Sequence, residues 1–362
     1  VDPLWREDPG LPLAGLIKKQ RGFTEEEKQQ VLDVQREILA KIIPLHCQLH
    51  QQGNLELTCS PYFHPILPLL CDNAAAKVSN PMDPVPEPPF AFPEDAEWHI
   101  QEGIKAFEQI MGCRPAGMWP SEGSVSDEAC GLMAKAGMPF FAADEGILFR
   151  SQFSPKGREP GRDELYRLHR LQTAHGEIDC VFRDHGLSDL IGFTYQRWDA
   201  QEAATDFIAH LKAIGQNWTR ETPPLVSVIL DGENCWEYYP RDGHDFQRYL
   251  IEGILNDPQI QPLTVPEYRA LYPPEPTLRS IFPGSWINSN FRIWIGHQED
   301  NAAWHFLRQA REVLLEKQNG LDEEARRDAW RLLHIAEGSD WFWWYGDENV
   351  STQEMLFDSL FR

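Results

Sequence analysis

Leu225-Val-Ser-Val-Ile-Leu230 runs directly into Asp231-Gly232-Glu233-Asn234-Cys235-Trp236. A short run rich in Val, Ile and Leu has the character of a buried β-strand, and Gly232 breaks it. Two carboxylates and an indole then stand just past the strand end. A buried carboxylate costs several kcal/mol unless it is paired, so acids at such a place are candidates for chemistry. The structural alternative is that Asp231 caps a following helical segment.

The same unit recurs in kind along the chain. Ala116 to Trp119 leads to Glu122, and Pro139 to Ala143 leads to Asp144-Glu145. Ile178 to Phe182 leads to Arg183-Asp184-His185, and Leu55 to Cys59 leads to Ser60-Pro-Tyr-Phe-His64. Helical patterns separate these runs. Thr24-Glu25-Glu26-Glu27 is a capping box that opens a helix to about Gln51, stopped by Gly53. Ile100, Ile104, Phe107 and Met111 recur at helical spacing before Gly112. Strands alternating with helices predict an α/β fold with a parallel sheet, and side chains just past the strand ends of a βα barrel converge on one face. A doubly wound open sheet fits the alternation too, but no Gly-rich phosphate loop accompanies any strand. The Pro-rich stretch from Asn80 to Pro93 is expected to be irregular. After about Tyr272 two helical patterns, 300–318 and 322–338, and a short one near 353–361 predict a C-terminal helical domain. The expected division is a barrel over 1–271 and a helical domain over 272–362 that closes the active-site face, offering Trp286, Trp294 and the cluster Trp341-Phe-Trp-Trp344.

Composition narrows the function. The chain has 362 residues, 42% of them hydrophobic, and a formal net charge of -23. So acidic a surface repels phosphate backbones and anionic lipid, which excludes nucleic-acid and membrane-surface binding and suits a neutral substrate. No apolar run reaches the length of a membrane span. Seven cysteines without a CxxC spacing read as reduced thiols, hence a cytoplasmic protein. Thirteen Trp supply flat rings suited to sugar faces.

Four further candidate groups each have a plain structural alternative. Glu122, between Pro120 and Gly123, is either reactive or a complement to the dipole of the helix that begins near Ser126. Arg183 and His185 are set to hold a carboxylate and a sugar hydroxyl, with an internal Arg–Asp salt bridge as the alternative. His64 beside Pro65 is a sugar contact or a structural histidine. His46 and His50, four apart on the long helix, lack an acidic ligand and predict no metal site.

Together the segments Ser60-Pro-Tyr-Phe-His-Pro-Ile-Leu-Pro-Leu, Trp119-Pro-Ser-Glu-Gly-Ser-Val-Ser, Ile229-Leu-Asp-Gly-Glu-Asn-Cys-Trp-Glu and Trp294-Ile-Gly-His-Gln-Glu-Asp-Asn-Ala-Ala-Trp304 resemble glycoside hydrolase family 57. The resemblance implies α-glucan chemistry on an incomplete seven-stranded βα barrel. It implies Glu122 as nucleophile and Asp231 as general acid/base, with His64, Trp119 and Trp236 lining sugar subsites. Asp184, His185 and Glu233 are further substrate-binding candidates. The His-Gln-Pro motif with which the family opens its first strand is not in this sequence, so that strand is expected to be missing. The implied chemistry is a double displacement with retention, needing no metal and no cofactor. Two other readings stand beside it. One is a metal-dependent polysaccharide deacetylase or mannosidase using His64, Asp144 and His185; the other is a non-catalytic glucan-binding protein.

Overall fold

A computed structural model describes residues 5–6, 8–153, 161–232, 235–274, 276–349 and 351–362. The chain divides into two compact units that do not follow chain order. One comprises Val1–Glu56, Ile110–Gly112 and Asp184–Leu271, and the other comprises Leu57–Gln109, Cys113–Arg183 and Tyr272–Arg362.

The second unit holds the sheet. Its strands are β1 (Phe140–Asp144), β2 (His169–Thr173), β3 (Gly176–Arg183) and β4 (Pro276–Leu278), in the order β1-β3-β2-β4. β1 and β3 are parallel, with Phe140 opposite Asp179 and Asp144 opposite Arg183. Single parallel bridges from Phe141 to Met118 and from Met118 to Cys59 continue the run beyond β1. The Trp119 N–H donates to the Cys59 carbonyl at 2.9 Å, and the Ala142 N–H to that of Met118 at 3.2 Å. The runs expected near 55–59, 116–119, 139–143 and 178–182 therefore lie side by side and parallel. β1 is buried along its whole length, as its Phe-Phe-Ala-Ala sequence requires.

One strand departs from the sequence expectation. β2 is an unforeseen strand, antiparallel to β3 in a hairpin and parallel to β4. Its residues alternate between buried His169 and Leu171 and the more exposed Arg170 and Gln172, so it lacks the continuous apolar run of its neighbours. Among the described residues the ladders define these four strands and a few bridges, and they do not trace a closed seven-stranded barrel. Helices Gln298–Lys317, Glu323–Ala336, Ser339–Trp343 and Glu354–Phe361 make the C-terminal region helical as expected. Trp294, expected to face a substrate, is instead fully enclosed, and its carbonyl accepts from Trp304 Nε1 at 2.9 Å.

In the first unit the helix Glu25–Gln51 opens with the expected capping box: Thr24 Oγ1 accepts from the Glu27 N–H, and Glu27 Oε2 accepts from the Thr24 N–H. Leu187, Ile191, Tyr195, Ala203, Phe207, Tyr239 and Phe246 form an aromatic core there, on which Val226, Val228, Leu230 and Trp236 pack. The segment 225–230 is extended rather than a full strand. The Asp184 N–H donates to Ser227 O at 2.8 Å, and the Ile229 N–H to Ser188 Oγ at 3.2 Å.

All seven cysteines are free thiols; Cys47 and Cys113 are half-buried and the others buried. No helix among the described residues is long and apolar enough to cross a membrane.

Candidate active site

Glu122 stands in the turn between the 116–118 extended segment and the helix Asp127–Lys135. Its backbone is left-handed (φ 56, ψ 27), a conformation that costs an L-residue with a side chain on the order of 1–2 kcal/mol. Gly123 follows with φ 57, and a Cβ there would lie 2.9 Å from Trp119 Cη2. The dihedral favours glycine here, and the indole leaves no room for a Cβ unless the ring shifts. Strain of this kind persists only where the surroundings over-determine it, and it collects at functional sites.

Those surroundings are specific. Trp286 Nε1 donates to Glu122 Oε2 at 2.8 Å, and the Trp286 N–H donates to the Glu122 carbonyl at 3.0 Å. The Trp119 ring meets Trp286 edge-on at 5.3 Å between centroids. On the same indole lies the guanidinium of Arg183, 5.3 Å from the ring centre, and Arg183 Nη1 pairs with Asp144 Oδ2 at 3.4 Å. Asp144 also caps the helix Glu145–Gln152 by accepting from the Gly146 N–H. The result is an acid whose backbone, carboxylate and neighbouring ring are all fixed, with one indole N–H already placed on a carboxylate oxygen. A hydrogen bond of this kind to a carboxylate oxygen contributes about 1.5–3 kcal/mol.

The first unit carries the other candidates. Asp231 is half-buried at the end of the extended segment, and its carbonyl lies 3.6 Å from Cys235 Sγ. Trp236 is half-buried against Tyr239 and Phe246. Asp184 is buried, and its Oδ1 accepts from the Leu187 N–H at 2.8 Å as the cap of the helix His185–Asp189. His185 is half exposed, with Nε2 2.9 Å from Asp189 Oδ2. Glu233 lies outside the described residues. In the second unit His64, also left-handed at φ 55, has Nδ1 2.9 Å from Ser339 Oγ.

The structure thus gathers Trp119 and Glu122 in one cluster and Asp184, Asp231 and Trp236 around one extended segment. Trp286 is the residue that the sequence did not attach to Glu122. It sits 164 positions away, and only its place in an aromatic-rich stretch hinted at a role.

These motifs find their match in a known family. The family model Glycosyl hydrolase family 57 matches residues 23–279. The chain belongs to glycosyl hydrolase family 57. Several solved structures share its fold. A family 57 branching enzyme from Thermococcus kodakaraensis is 15% identical, with a TM-score of 0.66 over 92% of this chain and 70% of that one. The alpha-amylase AmyC of Thermotoga maritima is 17% identical, with a TM-score of 0.66 over 99% and 75%. A 4-alpha-glucanotransferase from Thermococcus litoralis is 16% identical, with a TM-score of 0.60 over 87% of this chain and 48% of that one. No curated protein sequence matches the chain.

Proposed function

We propose that this family 57 chain is a retaining enzyme that cuts or transfers α-glucan chains by double displacement. The observation that carries the proposal is the anchored carboxylate of Glu122, held by Trp286 Nε1 at 2.8 Å on a left-handed backbone. A nucleophile needs that preparation: an ionised oxygen at a fixed place, with little reorganisation left for the reaction.

Glu122 attacks the anomeric carbon while Asp231, protonated, gives its proton to the departing glycosidic oxygen. The C–O bond to the leaving sugar breaks as the ester to Glu122 forms. Asp231, now a carboxylate, takes a proton from water or from an acceptor hydroxyl, whose oxygen displaces Glu122. Two inversions at one carbon give net retention. Trp119 and Trp236 present half-buried ring faces of the kind that stack on apolar sugar faces. His64, Asp184, His185 and Glu233 complete the proposed sugar contacts. The same reading takes the parallel succession of strands as part of the family's incomplete barrel.

Family 57 membership and structural likeness to a branching enzyme, an alpha-amylase and a 4-alpha-glucanotransferase support an α-glucan substrate. The test is to incubate the protein with maltoheptaose and follow product anomers by NMR. Retained α-anomers, as shorter or as longer chains, are the expected result. Inverted anomers, or full activity in Glu122→Gln, would overturn the assignment.

A further inference from the structure

Away from Glu122, the second unit buries a cluster that no sequence motif singled out. His99 comes from the helix Pro93–Met111, His334 from Glu323–Ala336, and Glu337 follows three residues later. The three side chains are 0%, 5% and 0% exposed. His99 Nε2 lies 2.8 Å and His334 Nδ1 3.0 Å from the same oxygen, Glu337 Oε2.

The hydrogen atoms decide what this convergence means. His99 Nδ1 faces the Tyr62 carbonyl, which can only accept, so Nδ1 carries the hydrogen. In a neutral ring Nε2 is then a lone pair aimed at a carboxylate oxygen, and either a second proton, which makes His99 an imidazolium paired with Glu337, or a metal ion between the two relieves the repulsion. An imidazole whose other N–H is tied to a backbone carbonyl is also how proteins fix the tautomer of a metal ligand. Glu337 Oε1 is buried with no hydrogen bond within the geometric limits, although the Asp95 carboxyl, pushed up to about 7 chiefly by burial, interacts with Glu337 as well. The His334 ring lies flat on Trp98, 3.8 Å between centroids and 13° from parallel, which fixes the direction of Nδ1.

We propose that His99 Nε2, His334 Nδ1 and Glu337 bind one divalent transition-metal ion, with zinc the best match to two imidazoles and a carboxylate. The three ligand atoms lie within 4.8 Å of one another. Zinc–ligand bonds of about 2.0–2.2 Å in a tetrahedron separate the donor atoms by about 3.3 Å. The two contacts to Glu337 Oε2 need to lengthen by a few tenths of an ångström, and the two imidazole nitrogens, within 4.8 Å of each other, have to close on the ion, with Glu337 Oε1 or a water as fourth ligand.

Such an ion would tie two helices around the loop that carries His64. The Tyr62 N–H donates to the His99 carbonyl at 2.9 Å, and the Ser339 N–H to that of His64 at 3.0 Å. A Cβ at Gly338 would come 2.8 Å from the Phe63 carbonyl, so the loop rests directly on the chain after Glu337. The role is structural, and the ligands differ from the His64, Asp144 and His185 set of a metal-dependent deacetylase.

The experiment is metal counting on the full chain. Protein stripped with EDTA is titrated with zinc chloride, bound metal is measured by atomic emission, and cobalt(II) serves as a spectroscopic probe. One zinc per chain is expected, with tetrahedral cobalt bands lacking thiolate charge transfer. Zinc should raise the melting temperature of the wild type and leave those of Glu337→Gln and His334→Gln unchanged. A His46→Gln/His50→Gln control, which removes the surface pair, should keep its zinc. The proposal is overturned by stripped wild-type protein that stays folded and takes up no stoichiometric zinc. Zinc retained by Glu337→Gln, or lost from the surface control, overturns it equally. If the ligand variants do not fold, the wild-type stoichiometry and cobalt spectrum decide alone.

Discussion

Glu122 sits among side chains that are themselves held by charge and hydrogen bonds: Trp286 on its carboxylate, Arg183 on Trp286, Asp144 on Arg183. Asp231 ends an extended segment resting on an aromatic core, where Leu230 and Trp236 pack against Tyr239 and Phe246. The same contrast runs through the two units. The second buries polar networks, including Arg311 with Asp95 and His297 with Asp300, whereas the first is built on rings and aliphatics. Directional contacts fix a side chain's orientation, while apolar packing fixes mainly the backbone beneath it. A nucleophile that must stay ionised benefits from the first kind of setting. An acid/base that gains and loses a proton in each cycle suits the second.

The strongest test of that contrast is Glu122→Gln, which keeps the shape and removes the attacking oxyanion. A fall in kcat of about ten-thousand-fold or more is expected, with the circular dichroism spectrum unchanged. Asp231→Asn should lower kcat by about 10²–10⁴-fold on maltooligosaccharides and far less on aryl glycosides with good leaving groups, since only poor leaving groups need the proton. Equal losses on both substrates would remove Asp231 from the acid role. Trp286→Phe keeps a ring and deletes the N–H on Glu122. Kinetics should show about a 10- to 100-fold loss in kcat with little change in KM, matching one hydrogen bond to a charged oxygen.

The smallest expected effect concerns the buried acids of the second unit. Burial pushes the Asp300 carboxyl up to about 7, although His297 beside it pulls the other way. Against an unfolded value of about 3.9, the folded state holds the extra proton, so this group lowers stability as pH rises from about 4 to about 7. Asp300→Asn should flatten that decline. Melting curves of wild type and variant across this range test it, and parallel curves would show that Asp300 titrates normally.

Much of this was readable from single segments. The capping box at Thr24, the runs before Glu122, Asp144 and Arg183, and the helices beyond 290 each depend on neighbours within a few residues. What was hidden depends on distant ones. Trp286 reaches Glu122 across 164 positions, and nothing local to either residue names the other. β2 escaped because a half-exposed strand carrying His169 and Arg170 lacks an apolar run. Trp294 looked like a substrate wall because a ring's composition does not say which way it faces. The interleaving of the two units is a property of contacts, and sequence order conceals it.

The left-handed turn at Glu122 also bears on how the protein can change. Replacing Glu122 with Gly would relieve the dihedral penalty, on the order of 1 kcal/mol, but would also delete the proposed nucleophile and its hydrogen bond from Trp286, a contact of about 1.5–3 kcal/mol. Selection for heat resistance alone would therefore gain little by removing Glu122, because the lost contact offsets the relieved turn. At position 123 a side chain would meet the Trp119 indole as well as a left-handed dihedral, so selection for folding and for turnover both favour glycine there. The anchored carboxylate thus holds its own strained turn in place, so stability and the proposed chemistry both favour keeping Glu122.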